Sequence, residues 1–203
     1  MQRLASGPDT YPALEASCDD DAVQSEEDAR RAYLGLDPSV DKAIDLGFMG
    51  FNEAKSANIP AQSTPGALSG TLTITGQVDQ GSSDNKEMRL DVAMTDYSDV
   101  AHLSYDAGPG AGVSLDAGAG PAAPALDMSL KGIPNGTLTG TLVGTFFMSG
   151  DLGGRIDLNL SFTGQLQPNA DGGTGGVARV PGTVHITGTA TSSAGVYNVD
   201  VTR

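Results

Sequence analysis

The chain has 203 residues, a formal net charge of −14, 28 glycines, 5% aromatic residues and no tryptophan. So acidic a chain repels phosphate backbones and anionic membrane surfaces, and it holds no basic cluster to act as an electrostatic footprint, so nucleic acid is excluded as a partner. Its length suits one sizeable core with an N-terminal appendage. The single cysteine, Cys18, rules out an intrachain disulfide and any metal site built on cysteine pairs, and no apolar run is long enough to form a transmembrane helix.

Residues 1–24 read as a polar, acidic tail. The first seventeen residues lack the apolar core of a secretory signal. "ASC" before "DDD" is similar to the end of a bacterial lipoprotein signal, but Pro8, Asp9, Pro12 and Glu15 stand where its apolar run belongs. Cys18 therefore reads as an idle thiol in a loose tail, with lipid anchoring in a native precursor as the alternative.

Residues 25–58 carry helical spacing, as one or two helices. Ser25 can cap, Glu26, Glu27 and Asp28 suit a positive first turn, and Ala29, Ala32, Tyr33 and Leu36 share a face. Gly35 reads as a stop, with Asp37 as a fresh cap and Pro38 at the first position of a second helix. The second stripe runs through Val40, Ile44, Phe48 and Phe51. Within "GFMGF", Phe48, Met49 and Phe51 could form a hook for a partner. A helix face packed on the β-domain is the stronger reading, because a helix of this length draws its stability from packing.

From residue 66 to 203 the period changes to that of strands. Apolar residues alternate through Leu72, Ile74 and Val78; Met88, Leu90, Val92 and Met94; Leu138 and Leu142; Ile156 to Phe162; and Val184 and Ile186. Shorter candidates lie near His102–Tyr105, Gly112–Leu115, Leu126–Leu130 and Val196–Val201. Threonine and other polar residues fill the places between, the pattern of antiparallel sheet with one face buried. Turn signals at "DQGSSDN", "PNG", "SGDLGG" and "TSSAG" suggest eight or nine strands, mostly up and down, in a barrel or a sandwich. The words "GTLTITG" and "GTVHITG", 112 residues apart, place Gly76 and Gly188 on the inward face, and the same register puts Gly140, Gly144 and Gly164 there. Glycine weakens a strand, so these positions call for bends or for room beneath a packed helix.

Chemistry is sparse. His102 lies near Asp99 and Asp106 in sequence, with no serine or cysteine that can be placed beside it, and His185 replaces an outward threonine of the repeated word. "GPGAG" and "GAGPAA" follow no strong strand and open no helix, so they are not phosphate loops. Asp79, Asp84 and Asn85, Asp96 and Asp99, and Asn169 and Asp171 supply oxygen-rich turns that could hold calcium, although Asp and Asn also serve turns for backbone reasons alone. No cofactor is otherwise expected. Regular threonine coils for ice binding and aromatic girdles for a membrane barrel are both missing.

With its acidic tail, helical segment and phrases such as "SGTLTITGQ" and "VPGTVHITGTAT", the chain resembles secreted or lipoprotein-like bacterial proteins of unassigned function. The resemblance implies an extracytoplasmic location and transfers no catalytic residue. The expected function is a non-enzymatic binding or structural β-domain of the cell envelope or of a secreted protein. A protein partner, or self-association, would engage the helical segment or the acidic loops. A carrier of small apolar ligands in the barrel interior is the alternative, and a hydrolase with an unidentified site the weaker one. Scarce aromatic platforms disfavour carbohydrate.

Overall fold

The computed structural model describes residues 22–112, 121–169 and 176–203. One helix, α1 (Glu26–Glu53), precedes ten strands: β1 (Asn58–Pro65), β2 (Ser69–Val78), β3 (Lys86–Val100), β4 (Leu103–Ala107), β5 (Ala125–Lys131), β6 (Thr137–Gly150), β7 (Gly154–Pro168), β8 (Val177–Arg179), β9 (His185–Ser192) and β10 (Gly195–Thr202). Among the described residues the chain is thus mainly β, with one helix packed on the sheet. No helix among the described residues is long and apolar enough to cross a membrane.

α1 starts where its chemistry requires. The Ser25 hydroxyl accepts the Asp28 N–H at 3.1 Å, and three acids occupy the first turn. The expected break at residues 35–37 does not occur: the helix runs without interruption through Gly35 and Pro38. Gly35 is a contact position and not a stop, because the Tyr105 hydroxyl lies 2.2 Å from where a Cβ would stand. That hydroxyl donates to the Ala32 carbonyl at 2.7 Å. Asp37 is buried in mid-helix and caps nothing. From residue 32 to residue 50 no position of α1 is exposed, so burial on both sides of Pro38 outweighs the one helical hydrogen bond that proline forfeits.

The strands form one antiparallel sheet in the order β1-β2-β3-β4-β6-β7-β9-β10. β4 and β5 occupy a single place in it end to end: β3 gives its first half to β5 and its second to β4, and β6 does the same. The pairings therefore return on themselves through β3, β5, β6 and β4, a small barrel element that the remaining strands extend. α1 packs on β1, β2 and β3 and also on β8 and β10, so the sheet curls until its two ends flank the helix. This is barrel-like architecture, and a two-sheet sandwich is not formed.

Two strands lie outside the sequence reading. β1 begins eight residues before the expected boundary at 66, because its prolines and polar residues hide the alternation. β8 is three residues long and pairs only with the end of β7. Of the candidate strand at Gly112–Leu115, residues 113–115 lie outside the described residues.

The inward glycines of the repeated word are confirmed in register, with Gly76 opposite Leu90 and Gly188 opposite Leu160. Gly76 has φ +128°, and a Cβ there would meet the Arg89 carbonyl oxygen at 2.1 Å. At Gly188 the Asn159 carbonyl oxygen would be as close. At Gly140 a Cβ would meet both the Asp127 carbonyl oxygen and the Phe162 ring at 2.5 Å, and Gly164 is covered by the Val184 side chain. None of the four makes room for the helix. That room comes from α1 itself: a Cβ at Gly35 would stand 2.2 Å from the Tyr105 hydroxyl and one at Gly50 2.9 Å from Ile59, while Gly47 faces the flexible Met88 side chain at 3.0 Å.

Replacing Gly35 by valine therefore forces Tyr105 off the Ala32 carbonyl and should destabilise the fold by about 1–3 kcal/mol. Urea denaturation checks this, and adding Tyr105→Phe should recover part of the loss; additive effects would show that the two residues do not meet.

Candidate functional site

The densest polar constellation among the described residues sits between α1 and β8. Asp37 and Asp41, one turn apart on the helix, both receive Arg179. Its Nη1 donates to Asp37 Oδ1 at 2.9 Å, its Nε to Asp41 Oδ1 at 2.6 Å, and its Nη2 to Asp41 Oδ2 at 2.7 Å and to the Asp37 carbonyl at 3.0 Å. The Tyr33 hydroxyl donates to Asp37 Oδ1 at 2.7 Å, and Arg203 Nε to Asp37 Oδ2 at 3.2 Å. The Arg179 and Asp37 side chains are only 6% and 7% exposed, whereas those of Asp41 and Arg203 are half exposed. A cleft of about 340 Å³ opens beside the cluster, lined also by Val180, Pro181 and Val184.

Burial alone would raise the Asp37 carboxyl, but the bonds and charge of Arg179, with Tyr33 and Arg203, outweigh it and hold the group below the usual carboxylate range. Burial, then Asp37, pushes the Tyr33 hydroxyl up. Burial opposes the charge on Arg179, and the two carboxylates more than offset it. A guanidinium held by two carboxylates and a phenol that stays protonated are equipped to hold α1 in place, and none of these groups is set up as a nucleophile.

A second clamp grips the helix from the other side. Lys42 Nζ donates to Asp99 Oδ1 at 2.6 Å and to the Pro65 carbonyl at 3.1 Å, and lies 5.2 Å from the centre of the Tyr97 ring. Asp99 also accepts from the Ala67 N–H at 2.7 Å and from the Tyr97 hydroxyl. Burial would raise its carboxyl, but Lys42, Tyr97 and Ala67 together lower it. At the helix C-terminus, Lys86 Nζ stands 4.6 Å over the Phe51 ring and donates to the Gly81 carbonyl at 2.6 Å.

The residues singled out in the sequence fall as follows. Phe48 is in the core, and Met49 and Phe51 are partly buried against it, so the "GFMGF" face is docked. Asp79 pairs with Arg89 at 3.4 Å, the Asp84 carbonyl accepts from the Ile133 N–H, and Asn85 Oδ1 accepts from the Gly132 N–H. Asp96 has φ 46° and donates its N–H to Asp106 Oδ1. Asp99, the fifth calcium candidate, is committed to Lys42. Among the described residues no three of His, Cys, Asp and Glu come together to hold a metal ion. Asn169 donates its N–H to the Gly176 carbonyl, while Asp171 and Cys18 lie outside the described residues.

His102 is exposed at the β3–β4 hairpin with φ 66°, and both acids near it in sequence are engaged elsewhere. His185 pairs with Asp200 at 2.9 Å on the exposed sheet face. Sequence reasoning missed the role of Arg179. The available signal was the run Asp37, Asp41, Asp45, three acids at four-residue spacing on an otherwise apolar helix.

No protein-family model matches the sequence, no curated protein is similar to it, and no solved structure matches it.

Removing Arg179 leaves the buried Asp37 with only the longer, half-exposed Arg203 contact, so Arg179→Ala should cost about 3 kcal/mol in chemical denaturation. Arg89→Ala, which breaks an exposed pair, should stay within about 0.5 kcal/mol; equal losses would contradict the cluster's importance. The pH dependence has a definite sign. Asp37 and Asp99 have lowered folded-state values, so their contribution is complete above the unfolded carboxylate value of about 3.9 and is lost as pH falls through the lower folded values. Melting temperature should fall steeply below about pH 4, and Asp37→Asn should flatten that fall.

Proposed function

We propose that the protein is a non-enzymatic, extracytoplasmic β-domain that binds or assembles through its outer surface. The observation that carries this reading is the helix inside the curled sheet. Tyr33, Leu36, Val40, Ile44 and Phe48 fill the space in which a barrel of this kind would carry a ligand, and all are buried in one continuous core with the inward strand residues. Ligand pockets combine apolar walls with space and a few placed polar groups. Here the polar side chains of the Asp37–Arg179 and Lys42–Asp99 clusters are committed to one another or to backbone carbonyls.

The outer face, by contrast, is a continuous polar sheet. Arg89, Asp127, Thr141, Ser161, Thr187 and Asp200 stand opposite one another in one row across β3, β5, β6, β7, β9 and β10. Glu87, Ser129, Thr139, Thr163, His185 and Thr202 form the next. Such a surface suits contact with a polar partner or a crowded envelope. Location outside the cytoplasm rests on the resemblance in sequence texture, with Cys18 as the point at which a lipid would anchor a native precursor.

Titration with a fluorescent fatty acid tests the reading against the carrier alternative. The native protein should show no saturable binding. Stoichiometric binding accompanied by a higher melting temperature would overturn the reading in favour of a carrier, since a ligand held by the folded state stabilises it.

A further inference from the structure

The sheet begins at β1 and ends at β10, and these two edge strands are built differently. β1 carries Pro60 and Pro65, and its pairing with β2 is broken by a register shift between Ile59 and Gln62; prolines and irregular register are devices that discourage edge pairing. β10 has neither, and pairs with β9 in unbroken register from Gly195 to Thr202. Its hydrogen-bond phase is set at one end, where Arg203 and Val184 exchange both backbone bonds, at 2.8 and 3.0 Å. In an antiparallel ladder such pairs alternate. Val201, Val199, Tyr197 and Gly195 therefore bond to β9, whereas Val196, Asn198, Asp200 and Thr202 turn their N–H and C=O groups away from the sheet. All four are exposed, Val196 at 64%, and among the described residues no hydrogen bond reaches these backbone groups.

We propose that β10 is a self-pairing edge, at which two copies of the chain join antiparallel about a two-fold axis at Val199. This contact goes beyond the outer-face reading and does not rest on it. The occupant follows from the strand's self-complementarity. An axis at Val199 brings all four outward residues into hydrogen-bonded pairs, Val196 with the partner subunit's Thr202 and Asn198 with the partner subunit's Asp200, each pair exchanging two backbone bonds. On the outer face an amide then lies opposite a carboxylate, and one β-branched residue opposite another. Asn198 Nδ2 gives one hydrogen to Glu26 Oε1 at 3.0 Å and has a second to give, while Asp200 uses Oδ1 for His185 at 2.9 Å and keeps Oδ2 to receive it. On the inner face Val199 meets its own copy and Tyr197 the partner subunit's Val201, so the apolar surface also continues across the joint. Neighbouring registers fit less well. An axis at Asp200 sets that carboxylate against its own copy, and an axis at Asn198 leaves Thr202 without a strand residue opposite it.

Sedimentation equilibrium of the full chain, from micromolar to millimolar concentration, should show a reversible monomer–dimer equilibrium. Asn198→Pro removes one outward N–H without touching the bonds to β9, and should abolish the dimer. Asn198→Asp sets like charges opposite each other twice across the joint and should raise the dimer Kd about tenfold; Asn198→Lys should lower it. These two variants decide the matter should the proline variant fail to fold. The register is read by pulsed dipolar spectroscopy with a nitroxide at Val196→Cys in a chain carrying Cys18→Ser. Six residues of strand separate the two labels, giving roughly 20 Å, against roughly 14 or 27 Å for the neighbouring registers. A monomer at every concentration would leave the edge to another protein's strand or to a segment of this chain and overturn the proposal. A dimer that survives Asn198→Pro, is indifferent to Asn198→Asp, or gives one of the other distances would overturn it equally.

Discussion

A helix that carries Asp37, Asp41, Lys42 and Asp45 lies inside a curled β-sheet with no exposed residue along its middle five turns, and the remainder of the fold follows from making that burial tolerable. An isolated charge in a protein interior is prohibitive, whereas a charge with a well-placed partner can be accommodated. Arg179 answers two of the acids and Asp99 answers the lysine. Three tyrosines complete the arrangement from within: the hydroxyls of Tyr33, Tyr97 and Tyr105 end on Asp37, Asp99 and the Ala32 carbonyl, all on or beside the helix. Burial raises each of these phenols, so they remain donors.

The short strand β8 makes sense in the same terms. It contributes little to the sheet, pairing with only three residues at the end of β7, and its place in the structure is to bring Arg179 across the helix. Close packing then dictates the helix composition. Where α1 meets Tyr105, Met88 and Ile59 it has glycine, accepting the conformational cost of glycine in a helix interior in exchange for close approach. The sheet's glycines solve a different problem, the near contact of neighbouring strands and the seating of Phe162 over Gly140. With the inner surface occupied in this way, the outer rows of threonine, serine and aspartate are what the molecule offers to its surroundings.

Much of this was legible in the sequence. Strict alternation from Leu72 to Val78 and from Ile156 to Leu166 identifies long strands with one wet face, and it predicts the inward register of Gly76 and Gly188 correctly. The Ser25 cap with its three acids sets the helix start. What the sequence concealed were features whose cause is tertiary. Gly35 and Pro38 are local helix breakers, and only the presence of Tyr105 and the surrounding strands explains why the helix continues through them. Asp37 next to Pro38 has the grammar of a cap, and its true partner lies 142 residues away. β1 was hidden by Pro60 and Pro65, and β8 by its brevity. The acidic turns looked like cation ligands because loop chemistry and metal chemistry use the same residues; Asp99 turned out to face inward, toward Lys42.

The central claim is that α1 belongs to the core of the β-domain and is not an appendage to it. Native-state hydrogen exchange of individual amides measures this most directly, because amides released only by global unfolding share one free energy. The account predicts that the amides of Val40, Ile44 and Phe48 exchange with the same free energy as those of Leu142 and Leu158 in β6 and β7. Exchange of the helix amides at a free energy several kcal/mol lower, while the strands stayed protected, would contradict it.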